Sequence, residues 1–372
     1  VKSLNVAVIG AGWIGGIHCE CYERVNSMMD GVRVRLHTVV DIIEPAAVKA
    51  KERFGFLCYS TDWHDVTDSD EIDVIDVCID NIWHKDIVIA AIAGGKQVIC
   101  EKPLATSLDD AEEMVSRAEE AGIVNLINFN YRRVPAIAQI KALIESGELG
   151  VPYHIKGVFL QDFGLTSPMS WRFQKDKAGA GSIVTMGAHL IDLGRFLMGD
   201  YAEVCALGAT VIPERVVPAT GEMGKCDVDD AMTFMARFNS GAIGMFMTSW
   251  VCHGRKHHCE LEIYCEKGSM HFNSERLNEL KLCLADDGHS GGLNGFRNVL
   301  VGADGPYGDL FNLKTGMGIG IKESFTLQIR EALRAIADGG SATPDFRDGM
   351  ICEKVTDAIV KSTEAHTWVK ID

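Results

Sequence analysis

The chain has 372 residues, more than one ordinary core encloses, so two domains are expected. Apolar residues make up 47% and charged residues 24%, the balance of a globular protein rather than a disordered or fibrous one. A formal net charge of -16 argues against nucleic acid or an anionic membrane as partner, since both reward a basic face.

The opening residues, VKSLNVAVIGAGWIGG, run straight into a strand pattern, without the basic region, long apolar core and cleavage site of a secretory signal. No window approaches the roughly 18 consecutive apolar residues of a membrane span. A cytoplasmic protein is expected. Leu4–Gly10 reads as an apolar strand, with a helix from near Trp13. Val32–Asp41 is a second strand, followed by a helix through Phe54. Ile72–Ile79 is another strand, and a helix follows over His84–Ala93. Gln97–Cys100, a helix near Leu108–Ala121, and Val124–Asn128 complete the run. Strands alternating with helices at this spacing imply a parallel sheet covered on both faces.

The rhythm changes near Asn130. A helix near Ala136–Ser146 leads into the long strand YHIKGVFLQDF, then a helical block over Ser182–Leu197. Strands follow: EVCALGATVI, AMTFMARF, GAIGMFMTSW, CELEIYC, SMHFN and ELKLCL, with FNSGA as a hairpin turn. Such grouping suggests an antiparallel or mixed sheet. GHSGGLNGF and the segment to Gly320 read as loop, and helices over Lys322–Asp338 and Phe346–Ala365 close the chain. The expected domains are 1–128 and 129–372, hinged near Asn128 to Arg132, with the C-terminal helices as candidates to pack back on the first. The fold class is α/β.

Gly10, Gly12 and Gly15 have the G-x-G-x-x-G spacing, after a strand and at the start of a helix. Gly10 permits the tight turn, Gly12 lets backbone approach a pyrophosphate, and Gly15 lets the helix pack on the sheet. The helix start, with Trp13 and Ile14, then offers N–H groups and a positive dipole end to the phosphates. Asp41, ending the second strand, can accept hydrogen bonds from both ribose hydroxyls and would repel a 2′-phosphate. Ile42 and Ile43 supply no cation to bind one, so NAD is favoured over NADP.

Lys102, in VICEKP, leaves the carboxyl end of a core strand, where ligands of open parallel sheets bind. Two readings stand: an ammonium that steadies a developing alkoxide, or a surface lysine paired with Glu101. His189 lies in a helix pattern where Thr185, His189 and Asp192 share one face, among small residues that allow close approach. A neutral imidazole there can take a proton from an alcohol. The stretch from Cys252 to Cys265 holds Cys252, His253, His257, His258 and Cys259. Its strand–turn–strand alternation points neighbours to opposite faces, and it has no standard ligand spacing, so no metal is expected. The twelve cysteines otherwise read as small buried hydrophobes.

In this order, the glycine turn, CEKP, NFNYRR and GAHLID resemble the glucose-fructose oxidoreductase / inositol dehydrogenase (Gfo/Idh/MocA) family. The resemblance covers essentially the whole chain. It implies an N-terminal Rossmann domain and a C-terminal α/β domain on a large open, mostly antiparallel sheet that commonly builds dimers or tetramers. It also implies NAD(P)-dependent oxidation or reduction of secondary alcohols on sugars, inositols and related rings. Carried over, Lys102 is the active-site lysine and His189 the proton-transferring histidine. Asn81 and His84 line the nicotinamide side, where Glu101 stands beside Lys102. Asn130 and Arg132 match an N-x-R-like segment facing substrate. NYRRVPA, LQDF, SPMSWRFQK, VDD, HGR and GPYG resemble the levoglucosan dehydrogenase and glycoside 3-dehydrogenase branch, which implies a pyranose oxidised at a ring hydroxyl, C3 above all. Gln161, Asp162, Trp171 and Arg172 are candidates to line that sugar site.

Two departures stand out. Thr185 replaces an aspartate usual four residues before the histidine, so His189 lacks a neighbouring anion and is expected to titrate lower than with one. Asp192 is a candidate to orient His189 instead. Asp80 stands where the family often has proline. The expectation is an NAD-dependent, homo-oligomeric dehydrogenase of a sugar or glycoside. The cofactor is either released each cycle or recycled between two sugars. The alternatives are an inositol dehydrogenase, a non-catalytic NAD-binding sensor, and a redox-neutral enzyme using NAD transiently.

Overall fold

The computed structural model describes residues 2–285, 295–311 and 314–371. Contacts divide the chain into two compact units. The first is Val1–Asn130 with Ile321–Glu353, and the second is Tyr131–Gly320 with Lys354–Asp372.

The first unit is built on six strands, β1 (Lys2–Ile9), β2 (Val32–Val40), β3 (Cys58–Ser60), β4 (Val74–Val77), β5 (Gln97–Cys100) and β6 (Asn125–Ile127). They lie in the order β3-β2-β1-β4-β5-β6, and every pairing is parallel. Val6, Val8, Val74, Ile75 and Ile99 are fully buried, as strands covered on both faces require. The intervening helices are α1 (Trp13–Val25), α2 (Glu44–Phe54), α3 (His64–Thr67), α4 (His84–Ala93) and α5 (Leu108–Ala121). The order in which strands are added reverses between β1 and β4, the switch point at which such folds take ligands. β3 escaped the sequence reading because its three residues lie on a sheet edge without an apolar run.

In the second unit α6 (Pro135–Glu145) precedes β7 (Pro152–Leu160), and the short α7 (Lys175–Ala178) precedes α8 (Ala188–Met198). Then come β8 (Tyr201–Ala209), a hairpin of β9 (Glu214–Val216) and β10 (Met223–Lys225), β11 (Ala231–Phe238) and β12 (Ile243–Ser249). β13 (His258–Cys265), β14 (Gly268–Asn273), β15 (Glu279–Leu284) and β16 (Arg297–Leu300) follow. After α9 (Ile321–Asp338) and α10 (Phe346–Ala365), β17 (Val369–Lys370) completes a sheet ordered β16-β15-β14-β13-β7-β12-β11-β8-β17. Only β7 and β12 pair in parallel among the described strands of this sheet.

One face of this sheet buries Ile155, Phe159, Phe234, Phe246, Leu261, Ile263 and Phe272, in the period of two that a half-covered antiparallel sheet shows. The other leaves Leu207, Met235 and Met245 exposed. FNSGA makes the expected hairpin, with Gly241 at φ +86 and Phe238 donating to the Ala242 carbonyl. α9 belongs to the first unit, where Phe325, Ile329 and Leu333 share a core with Val6, Val8 and Tyr22. Each fully buried side chain of that kind contributes about 1.5–3 kcal/mol. No helix among the described residues is long and apolar enough to cross a membrane.

Three expectations are corrected. The helix expected from Ser182 begins as a π-helical turn, Ile183–Gly187, before α8. The strand expected to reach Ile212 ends at Ala209, and the hairpin β9–β10 follows. The loop expected up to Gly320 contains β16 and a 3-10 turn, Gly308–Phe311. Of the glycine-rich stretch GHSGGLNGF, residues 288–294 lie outside the described residues.

The junction of β1 and α1 is the tightest in the first unit. Gly10 has φ +106, and a side chain on Gly15 would sit 1.9 Å from the Gly10 carbonyl oxygen. Gly15→Ala should therefore push α1 off the sheet, at a cost of about 1–3 kcal/mol. The checks are a lower thermal midpoint and weakened dinucleotide binding together.

Candidate active site

At the glycine turn, Gly12 precedes α1 as its N-terminal cap position and supplies no side-chain cap. A Cβ placed on Gly12 would meet nothing within 4 Å, so the backbone borders open space. That opening and the uncapped helix start fit a pyrophosphate. Asp41 joins the two loops at this edge: Oδ2 accepts from Ala11 N at 2.9 Å and Oδ1 from Ile43 N at 2.9 Å. Each carboxylate oxygen keeps accepting capacity for a ribose hydroxyl. Trp13 and Ile42, 80% and 85% exposed, flank the turn without closing it.

Lys102 stands half-buried two residues beyond β5, before a cis peptide bond to Pro103. Three buried titratable side chains hold its loop. Glu101 Oε2 accepts from the Lys102 backbone N–H at 3.2 Å. His84 lies with Nδ1 2.8 Å from the Pro103 carbonyl and Nε2 3.2 Å from that of Ile79. Burial pushes the His84 imidazole below its ordinary range, despite those carbonyls. Glu353, in α10, accepts from the Leu104 backbone, and burial pushes its carboxyl up to about 8. Asn81 is buried in the 3-10 turn Asn81–Trp83 that precedes α4. Glu101 and His84 were expected against the cofactor. The structure places both as buried struts of the lysine loop, with Glu101 Oε1 3.0 Å from His18 Nε2.

His189 sits in the first turn of α8, 8% exposed. Its ring packs against Tyr131, with centroids 4.8 Å apart, and against Phe159 at 6.1 Å. Gln161 Nε2 donates to His257 Nδ1 at 2.7 Å, which puts the ring proton on Nε2, 2.7 Å from Tyr131 Oη. Gln161, expected from sequence, thus joins His189 through Tyr131 and His257, which sequence reasoning did not select. The signal was present in NYRR and KHH, but nothing local ties Tyr131 to a residue 126 positions away.

The π-turn carries Thr185, one turn before His189 at the start of α8. Asp229 anchors this turn, accepting from Gly181 N at 2.8 Å, Ile183 N at 3.0 Å and Ser182 Oγ at 2.6 Å. A side chain on Gly181 would lie 1.9 Å from the Asp229 carbonyl oxygen, which explains the glycine. Asp192, the candidate to orient His189, takes a forked ion pair from Arg132: Nε at 3.1 and 3.0 Å, Nη2 at 2.5 Å. Arg132 is itself buried, so this pair ties α8 to the segment after Asn130. Asn130 is buried in the first unit and donates to Ser324 Oγ at 2.8 Å.

Asp162 receives Lys256 Nζ at 2.6 Å and Gly254 N at 3.3 Å, and the lysine holds its carboxyl below the usual range. The Arg172 guanidinium lies 4.2 Å over the Trp171 ring. The loop between β7 and α7 that carries these residues rests on Arg215. That side chain pairs with buried Asp230 at 3.0 Å, donates to the Gly164 and Ser167 carbonyls, and covers the Phe173 ring. The VDD segment therefore supplies two supports, Asp229 and Asp230.

Among the described residues, donor atoms converge in two groups: His18, Asp76 and Cys78, and Glu260, Glu262 and His271. In the second, Lys156 Nζ stands 3.5 Å from Glu260 and 3.2 Å from Glu262, a cation already in the place a metal would take. In the CHGRKHHC stretch Cys259 and His258 are buried in β13 while His253 and His257 are exposed.

Residues 4–129 match the model of the Gfo/Idh/MocA oxidoreductase family, NAD-binding Rossmann fold, and residues 137–271 match the Gfo/Idh/MocA C-terminal domain. The chain is 36% identical to levoglucosan dehydrogenase of Pseudarthrobacter phenanthrenivorans, covering 100% of this chain and 99% of that protein. It is 29% identical to myo-inositol 2-dehydrogenase of Thermotoga maritima over 66% of this chain and 68% of that protein. Among solved structures, levoglucosan dehydrogenase in complex with NADH and levoglucosan superposes with a TM-score of 0.95 at 36% identity, covering 100% of both chains.

Glu353 gives a pH test of the lysine loop. Its folded pKa lies above the unfolded value, so its contribution to stability is complete below about 4.5 and is lost as pH rises through about 8. Glu353→Gln keeps an acceptor for Leu104 without the buried charge. The variant should match the parent in thermal unfolding near pH 5. It should exceed the parent by on the order of 5 kcal/mol above pH 9, at about 1.4 kcal/mol per pKa unit.

Proposed function

The chain belongs to the Gfo/Idh/MocA oxidoreductase family, and from that premise we propose that it oxidises a secondary ring hydroxyl of a sugar or glycoside, at C3 of a pyranose, with NAD. The carrying observation is the setting of His189: a buried imidazole packed on the Tyr131 ring, with Gln161 and His257 joined to that tyrosine. Aromatic faces beside a few placed polar groups are what a sugar site requires. Full-length similarity to levoglucosan dehydrogenase supports the pyranose class.

Gly10 to Gly15 and the start of α1 hold the pyrophosphate, and Asp41 holds the adenosine ribose. NAD, when bound, supplies the hydride acceptor. Lys102 donates a hydrogen bond to the reacting substrate oxygen and stabilises its developing negative charge. His189 accepts the hydroxyl proton as general base. Thr185, uncharged, stands on the π-turn four residues before that imidazole. Gln161, Asp162, Trp171 and Arg172 orient the sugar. The exposed Leu207, Met235 and Met245 on the open sheet support assembly as a homo-oligomer.

The test is a panel of levoglucosan, glucose, methyl and aryl glucosides and myo-inositol, followed by NADH formation, with the oxidised position assigned by NMR. A C3 ketone from a pyranose is the expected product; turnover confined to myo-inositol would replace the sugar with an inositol. Lys102→Ala should cut kcat by at least about 100-fold, as loss of an oxyanion-stabilising donor does, while NAD affinity changes little; surviving turnover would remove the lysine from the mechanism. Asp41→Ala should weaken NAD much more than NADP in binding titrations, and equal weakening would overturn the cofactor assignment.

A further inference from the structure

Beneath the lysine lies a buried charged cluster that no sequence motif announces. His18, on the second turn of α1, is fully buried between two carboxylates. Its Nδ1 is 2.8 Å from Asp76 Oδ2, on β4, and its Nε2 is 3.0 Å from Glu101 Oε1, just past β5. Tyr22 donates to Asp76 Oδ2 at 2.9 Å, and Asn128 Nδ2, just past β6, donates to Glu101 Oε1. Phe325 closes the ring edge-on at 5.7 Å.

A neutral imidazole carries one N–H and could satisfy only one of these carboxylates. Two acceptors on opposite ring nitrogens, away from water, require both nitrogens to donate. Burial alone would push the imidazole down, but Asp76 and Glu101 outweigh it and hold His18 at about 10. Burial likewise pushes Glu101 up, and the His18 and Lys102 charges with Asn128 outweigh that and hold it low. Glu101 is thereby fixed at one oxygen, and its other oxygen holds the Lys102 amide.

We propose that His18 is a positioning residue for Lys102: the imidazolium, held by Asp76, locks the Glu101 carboxylate, and Glu101 fixes the backbone from which the lysine side chain departs. The helix that starts at the glycine turn is thus tied to the catalytic lysine through one buried ion triad. This rests on the reading of Lys102 as the group that holds the substrate oxygen. The titratable groups facing Glu101 and its loop are His18 and Tyr22 from α1, Asp76 and Cys78 from the β4 edge, and Cys100, His84 and Glu353 around the lysine turn.

The experiment is a double-mutant cycle of His18→Gln and Glu101→Gln, with NAD Kd, kcat and the pH profile of kcat measured for each. Each single variant should lose about tenfold or more in kcat with NAD Kd within about threefold. The double variant should be no worse than the poorer single, the non-additivity of residues acting as one unit. Glu101→Gln also removes an anion beside the ammonium, so the alkaline limb of kcat should move to lower pH. Multiplying losses with an unmoved limb would reduce the cluster to a structural support. If either variant fails to fold, neutron diffraction of the NAD-bound wild type at pH 8 decides: deuterium on both His18 nitrogens supports the triad, and a singly protonated ring overturns it. Lys102→Ala separates the two readings. Surviving turnover there defeats the lysine mechanism itself, whereas a dead Lys102→Ala with an additive cycle defeats only the role of His18.

Discussion

Burying a charge costs several kcal/mol unless an opposite charge meets it with good hydrogen bonds. That constraint is met at three places where a segment carrying candidate site residues leaves regular structure. Under the lysine turn it is His18 between Asp76 and Glu101. At the entry to the second unit it is Arg132 on Asp192, which fixes α8 and so the helix that carries His189. Behind the loop with Gln161, Asp162 and Trp171 it is Arg215 on Asp230. Each pair is costly to break from one side only, since that leaves its partner buried and uncompensated. The loops are therefore held where hydrophobic contact alone would leave alternatives of similar energy.

The framework of both units was legible because it rests on local chemistry. Val6, Val8, Val74 and Ile75 sit in short β-branched runs between glycines and helix patterns, and such runs read as buried parallel strands. Gly10, Gly12 and Gly15 could be placed because the reason for each glycine lies within a few residues of it. Lys102 and His189 were legible as candidates through the strand end and the helix that bear them. β3, β9, β10 and β17 were not, because two- or three-residue strands carry no periodicity and owe their pairing to a neighbour supplied by the fold.

The supports of the site were illegible for a different reason. His18 and Asp76 are 58 residues apart, and Arg132 and Asp192 are 60 apart. Nothing in a linear pattern says which acid meets which base. The contacts of Asp192 with Arg132 and of Glu101 with His18 are therefore found only in the fold. A buried acid in an otherwise apolar strand, Asp76 within VIDV, is the one local sign that such a network exists. An unpaired carboxylate could not remain ionised there, so that strand asks for a cation from elsewhere in the chain.

The π-turn at Ile183–Gly187 draws these threads together. Here Asp229 captures the backbone N–H groups of Gly181 and Ile183 and the hydroxyl of Ser182, and the wider turn begins at that anchor. The carboxylate at this end of the helix is thus spent on backbone N–H groups and the Ser182 hydroxyl. The buried charges His18, Asp76 and Glu101, Arg132 and Asp192, and Arg215 and Asp230 are thus each met by an opposite charge.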